Sequence, residues 1–175
     1  MAKELLIGSL VVGIVILSIF LFVSIQSLEF NNIGLNYSSY FKSIENKTYH
    51  SGIHFLGLGH EFIAYPLNIK TVDFSSEAHA DLPGIDCRTW DGLELKLEIS
   101  FQYRPMKNKI YDIYMTFGDK LSTIVRRMAI DSISDTATEF KAYEIFSKRK
   151  EISEKMFSEL AKKLSTYTFV ELVFF

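Results

Sequence analysis

The sequence predicts an α+β protein: one transmembrane helix, then antiparallel strands, three helices and a closing strand. Three observations carry that prediction. Leu5 to Ile25 is a single unbroken apolar run, LLIGSLVVGIVILSIFLFVSI. Leu93 to Arg104 alternates apolar and polar residues with period two, whereas after Pro105 the apolar spacing lengthens to about 3.6 residues. Strands followed by helices, in that order, point to helices gathered on one side of an antiparallel sheet.

The apolar run holds 21 residues. At about 1.5 Å per residue it reaches roughly 31 Å, close to the roughly 30 Å hydrocarbon core of a bilayer. Sixteen of its residues are Leu, Ile, Val or Phe. Each contributes about 0.3–0.6 kcal/mol of insertion free energy, a sum of roughly 5–10 kcal/mol. A cleavable secretory signal is disfavoured, because the run is longer than such an h-region, Glu4 cancels Lys3, and no A-x-A-like site follows. A buried core helix would show a polar stripe, and none is visible. Leu5, Leu10, Ile14, Leu17, Leu21 and Ile25 are therefore the expected membrane-anchor residues, within an anchor segment 1–27 ahead of a domain 28–175. Lys3 on one side against the distant Lys42 and Lys47 on the other leaves sidedness open. Asn36-Tyr37-Ser38 and Asn46-Lys47-Thr48 are glycosylation sequons that matter only if this side is luminal.

Beyond the anchor, Gly, Asn, Asp and Pro clusters separate strands expected at Ile33 to Tyr37, His54 to Leu56 and Glu61 to Phe74, the last broken near Pro66. In the strongest strand, Leu93, Leu95, Leu97, Ile99, Phe101 and Tyr103 share one face. Asp91-Gly92 before it signals a hairpin from a strand at Asp86 to Trp90. A first helix is expected at Asn108 to Phe117, stopped by Gly118, with Asp119 capping a second whose stripe is Leu121, Ile124, Val125, Met128 and Ile133. A third, Ser147 to Ser165, lines up Ile152, Met156, Phe157, Leu160 and Leu164 on one face. The end, YTFVELVFF, is too rich in β-branched and aromatic residues for a helix and reads as a strand. About 150 residues make one compact domain the expectation.

Chemistry is sparse. A net charge of −2 and a pI near 6.1 argue against a nucleic-acid surface. Cys87 is the one cysteine, so it forms no internal disulfide and reads as a small buried hydrophobe. His50, His54 and His60 lie close in sequence but lack the accompanying ligands of a zinc site; an enzyme would need them to face convergent carboxylates. Gly57-Leu58-Gly59 is too short for a phosphate loop, no GxSxG is present, and Asp81, Asp86 and Asp91 flank turns. Lys148-Arg149-Lys150 reads as a solvated helix face, with acidic lipid headgroups as the alternative partner. No catalytic residue, cofactor, metal or small-molecule substrate is therefore expected.

Ile33-Gly34-Leu35 soon after an anchor, Tyr49-His50-Ser51-Gly52-Ile53-His54-Phe55, Arg88-Thr89-Trp90-Asp91-Gly92-Leu93-Glu94-Leu95 and Gln102-Tyr103-Arg104-Pro105 together resemble an SPFH domain, the family of stomatins, prohibitins and flotillins. Ser51 departs from the proline usual before Gly52. The resemblance implies a non-enzymatic scaffold subunit that assembles at the bilayer with copies of itself or relatives. It also implies subunit contacts through the amphipathic helices, here Ile152, Met156, Phe157, Leu160 and Leu164. Family members continue past the last strand into a coiled coil, so either the polypeptide extends beyond Phe175 or this is a divergent member that has lost that rod. The second case makes an accessory subunit docked in a larger membrane complex, such as a respiratory-chain assembly, the second expectation. A single-pass protein of the mitochondrial inner membrane is favoured over the plasma membrane or endomembranes.

Overall fold

The computed structural model describes residues 2–175, apart from the side chains at positions 2–7, 9, 11 and 17. It divides into two compact units, Met1–Leu67 and Asn68–Phe175.

The first unit opens with helix α1, Ala2–Val23. Among the described residues no helix is long and apolar enough to cross a membrane, so the crossing expected of Leu5 to Ile25 is unsupported there. The helix also stops short of the apolar run. Ser24 donates its backbone N–H and its hydroxyl to the Phe20 carbonyl, and Ile25 then begins strand β1, Ile25–Leu28. Ile25 is thus a strand residue paired with Phe55, a correction to its place among the anchor residues. A β-branched residue whose backbone finds a partner strand has no reason to extend the helix.

Strand β2 (Asn32–Ser38) is the centre of a three-stranded antiparallel sheet, flanked by β3 (Ser43–Tyr49) and β5 (His60–Pro66). A separate ribbon pairs β1 with β4 (Gly52–Phe55). Ile33 and Leu35 are buried at the core of this unit, with Leu28. Gly34 between them is dictated by space: a Cβ there would stand 2.7 Å from Cδ1 of Phe62. Gly59 is required twice over, by a φ of +70° and because a Cβ would strike the Tyr40 ring. β1 and β3 were not expected from sequence. β1 is hidden inside an apolar run that continues the helix, and SIENKTY in β3 has too few apolar residues to show alternation.

The second unit contains the sheet β10–β9–β6, antiparallel throughout, built from β6 (Lys70–Phe74), β9 (Ile99–Pro105) and β10 (Val170–Phe174). A ribbon joins β7 (Ile85–Arg88) to β8 (Glu94–Leu97). The expected break near Pro66 is present, separating β5 from β6, and the Asp91-Gly92 turn closes the β7–β8 hairpin with Gly92 at a φ of +80°. The long strand Leu93 to Arg104 is instead two. At Glu98 the chain leaves β7 as its partner and takes β6 and β10. The alternation continues across the break, but only Phe101 and Tyr103 reach full burial; Leu93 is exposed.

Helices α2 (Ile110–Phe117), α3 (Leu121–Ala137), α4 (Ala142–Ser147) and α5 (Arg149–Tyr167) follow. Gly118 stops α2 as expected, its φ of +52° allowing its N–H to reach the Tyr114 carbonyl. Asp119 does not cap α3: it lies in a 3-10 turn, and the N-cap position falls to Lys120 without a side-chain bond. The helix expected from Ser147 to Ser165 is α5, which starts at Arg149; the short α4 ahead of it was not expected, and the two are separated at Lys148, where the backbone turns to φ −116° and ψ 31°. The core of this unit joins Val72, Phe74, Phe101 and Tyr103 of the sheet to Ile113, Val125, Ile133, Leu160 and Leu164 of the helices.

Candidate functional site

Helix α5 was expected to offer Ile152, Met156, Phe157, Leu160 and Leu164 to neighbouring subunits. Four of them are instead core. Ile152 and Met156 are 3 % and 4 % exposed, and Leu160 and Leu164 are fully buried. The helix lays this stripe against α3 and β10 of its own chain, which removes its apolar surface from water. Only Phe157 stays partly accessible, edge-on to Phe175 with ring centroids 6.3 Å apart.

What the second unit leaves open lies beside that stripe. A groove of about 750 Å³ runs between β8 and the start of β9 on one side and α4 and α5 on the other, floored by Leu95, Leu97 and Ile99 with Phe146 at its rim. Phe146 and Tyr143 of α4 are 80 % and 77 % exposed. Lys141 covers the Trp90 ring at 5.1 Å, and the Trp90 N–H donates to the Phe140 carbonyl, tying the β7–β8 turn to the start of α4. Apolar and aromatic residues on this rim far outnumber groups able to move a proton.

The candidate chemical groups are each committed to structure. His54 bonds through Nε2 to the His50 carbonyl oxygen, and its ring packs edge-on to Tyr49 and Phe62. His60 Nδ1 meets Asn36 Oδ1 at 2.9 Å. Among the described residues no group of three His, Cys, Asp or Glu could hold a metal ion. Asp81 accepts from the Arg126 guanidinium and the Asp73 N–H; Asp91 accepts from the Thr89 hydroxyl and the Ala142 N–H, which holds its carboxyl below the usual range. Burial pushes the Cys87 thiol up, opposite to what a reactive thiolate needs. In the Lys148-Arg149-Lys150 cluster, Lys148 pairs with Glu144 at 3.3 Å and Lys150 approaches Glu154 at 4.0 Å.

One polar chain in the first unit escaped the sequence reading. Asn36 is 8 % exposed, and its amide links His60 to Glu45, which also accepts from the Tyr49 hydroxyl. Donation from Asn36 is the largest influence on Glu45 and lowers its pKa. A carboxylate whose folded pKa is depressed stabilises the fold above its unfolded value, and the contribution is lost as pH falls through the folded value. Unit 1 should therefore weaken modestly in acid, the carboxylate being largely exposed to solvent. Urea midpoints measured from neutral to acid pH should fall less steeply in Glu45→Gln; identical acid limbs would remove Glu45 from the account. The same bonds leave Asn36 of the first sequon occupied, while Asn46 of the second is exposed on β3.

Antiparallel strands first and helices after, led in by an apolar helix, make this an α+β chain of the architecture implied by the Ile33-Gly34-Leu35, Asp91-Gly92 and Gln102-Tyr103-Arg104-Pro105 segments. The chain matches the SPFH domain / Band 7 family over residues 27–175, and it belongs to that family. The family is typically membrane-associated and scaffold-like, and its members generally oligomerise. No curated protein matches the chain.

Proposed function

We propose that the chain is a non-enzymatic, membrane-anchored SPFH scaffold subunit that assembles with copies of itself or relatives. The observation that carries the reading is the surface of α1. Every described side chain from Leu10 to Val23 in that helix is exposed; Leu10, Ile14 and Leu21 of the expected anchor are 61 %, 56 % and 52 % exposed, and Phe22 is 84 % exposed. The side chains of Leu5 and Leu17 lie outside the described residues. A helix whose described side chains are apolar and uncovered by the rest of its own chain fits an apolar medium. Its described hydroxyl is suited to one: Ser18 donates back to the Ile14 carbonyl, so that donor needs no water.

Assembly fits the second unit, whose sheet edge at β10 and aromatic rim on α4 are uncovered within the chain. In mild detergent the full chain should run as a homo-oligomer of high mass. A 20.1 kDa monomer, or co-migration with unrelated subunits at fixed stoichiometry, would replace this reading with that of an accessory subunit.

A further inference from the structure

We propose that the groove beside α4 and α5 takes an extended peptide as an added strand, paired with the open edge of β8 and the start of β9. The site lies wholly within the second unit and does not depend on how α1 is held. Alternation of the backbone defines the edge. The Thr89 N–H donates to the Leu93 carbonyl, so Leu93, Leu95 and Leu97 turn their backbone groups towards β7. In β6 the Asp73 carbonyl accepts from the Leu82 N–H, away from β9, so Val72 and Phe74 bond instead to Phe101 and Ile99.

β7 and β6 therefore lie along one side of the Leu93 to Tyr103 run, and Glu94, Lys96, Glu98 and Ser100 turn their N–H and C=O groups to the other. β10 occupies that other side, but its pairing covers only Gln102 to Pro105. From Ser100 back to Glu94 the edge has no strand among the described residues, since β8 has β7 as its single neighbour. The groove runs along this bare stretch, with Phe175 at the point where β10 leaves off.

The occupant follows from what the groove offers. Glu94 to Ser100 is a reach of about 23 Å at roughly 3.3 Å per residue, room for a strand of about seven residues. Unpaired main-chain groups along an edge call for another extended main chain. Leu95, Leu97 and Ile99, with Phe146 and Met156 on the helical wall, call for apolar residues at every second position. Charge sets the intervening positions. Glu94 pairs with Arg88 and the Glu98 carboxylate accepts from the Ser76 N–H, whereas Lys96 and Arg149 make no ion pair among the described residues. The fitting partner is thus an extended segment that alternates apolar and acidic residues.

The probe is a fluorescein-labelled peptide of about seven residues, alternating valine and glutamate and capped at both ends. Its binding to the full chain in mild detergent is read by anisotropy against empty micelles. In such a strand the valine amides face one edge and the glutamate amides the other. Strand addition predicts saturable binding that survives N-methylation of one residue type and falls about tenfold or more on N-methylation of the other. Lys96→Pro, checked for native circular dichroism, should weaken binding comparably, since the Lys96 N–H does not serve β7, and Lys96→Gln, which removes only the charge, should weaken it less. No saturable binding, or equal losses for the two methylated peptides, overturns the proposal. So does a natively folded Lys96→Pro that binds no worse than Lys96→Gln.

Discussion

Leu160→Ala is expected to destabilise the second unit by about 2–5 kcal/mol, the range for a buried leucine truncated to leave a cavity. Leu160 is fully buried between α5 and the elements it packs on, and close-packed neighbours can only partly collapse into the space. Against a usual domain stability of about 5–15 kcal/mol, that loss is large. Phe157→Ala on the same helix should cost clearly less, since Phe157 is partly exposed and its ring contact is with Phe175. Denaturant titration of both variants decides whether the stripe is core or docking surface. Equal small costs, with an oligomer that falls apart only for Leu160→Ala, would return Leu160 to the role of a subunit contact.

Phe101→Ala should cost about 3–5 kcal/mol, as truncations of buried aromatics do. Phe101 has no exposed surface, stacks on Phe74 with centroids 6.2 Å apart, and lies 6.3 Å from the Tyr103 ring. Its removal opens the middle of β9, the strand that pairs with both β6 and β10. Leu93→Ala, in the same alternating series but exposed, should stay within about 0.5 kcal/mol. Thermal unfolding of the pair tests the division of that series at Glu98; matching losses at positions 93 and 101 would mean that Leu93 is as buried as Phe101.

Local pattern made most elements legible. Period two in Ile99 to Tyr103, period 3.6 in Leu121 to Ile133, the punctuation of Pro66, Asp91-Gly92 and Gly118, and the β-branched tail each depend on residues close in sequence. The family was legible for the same reason, because its segments are short and ordered along the chain. Glycine at position 34 has a cause that sequence alone does not reveal: the approach of Phe62 from β5.

The candidate surfaces were less legible, and the α5 stripe shows why. Ile152, Met156, Leu160 and Leu164 mark a helix face that must be covered, but an apolar face is the same whether its cover is the chain's own α3 and β10 or a neighbouring subunit. Only the tertiary structure decides, through pairings between residues far apart in the chain. The same holds at Glu98, where alternation persists while the partner strand changes, and at Ile25, where an apolar run suited to helix is diverted by a partner at Phe55. The sequence by itself determined the type and order of the elements, because periodicity and turn chemistry act over a few residues. The tertiary structure decided which apolar faces remain outward, on α1, on α4 and at Tyr40-Phe41, because burial belongs to a pair of surfaces and never to one of them alone.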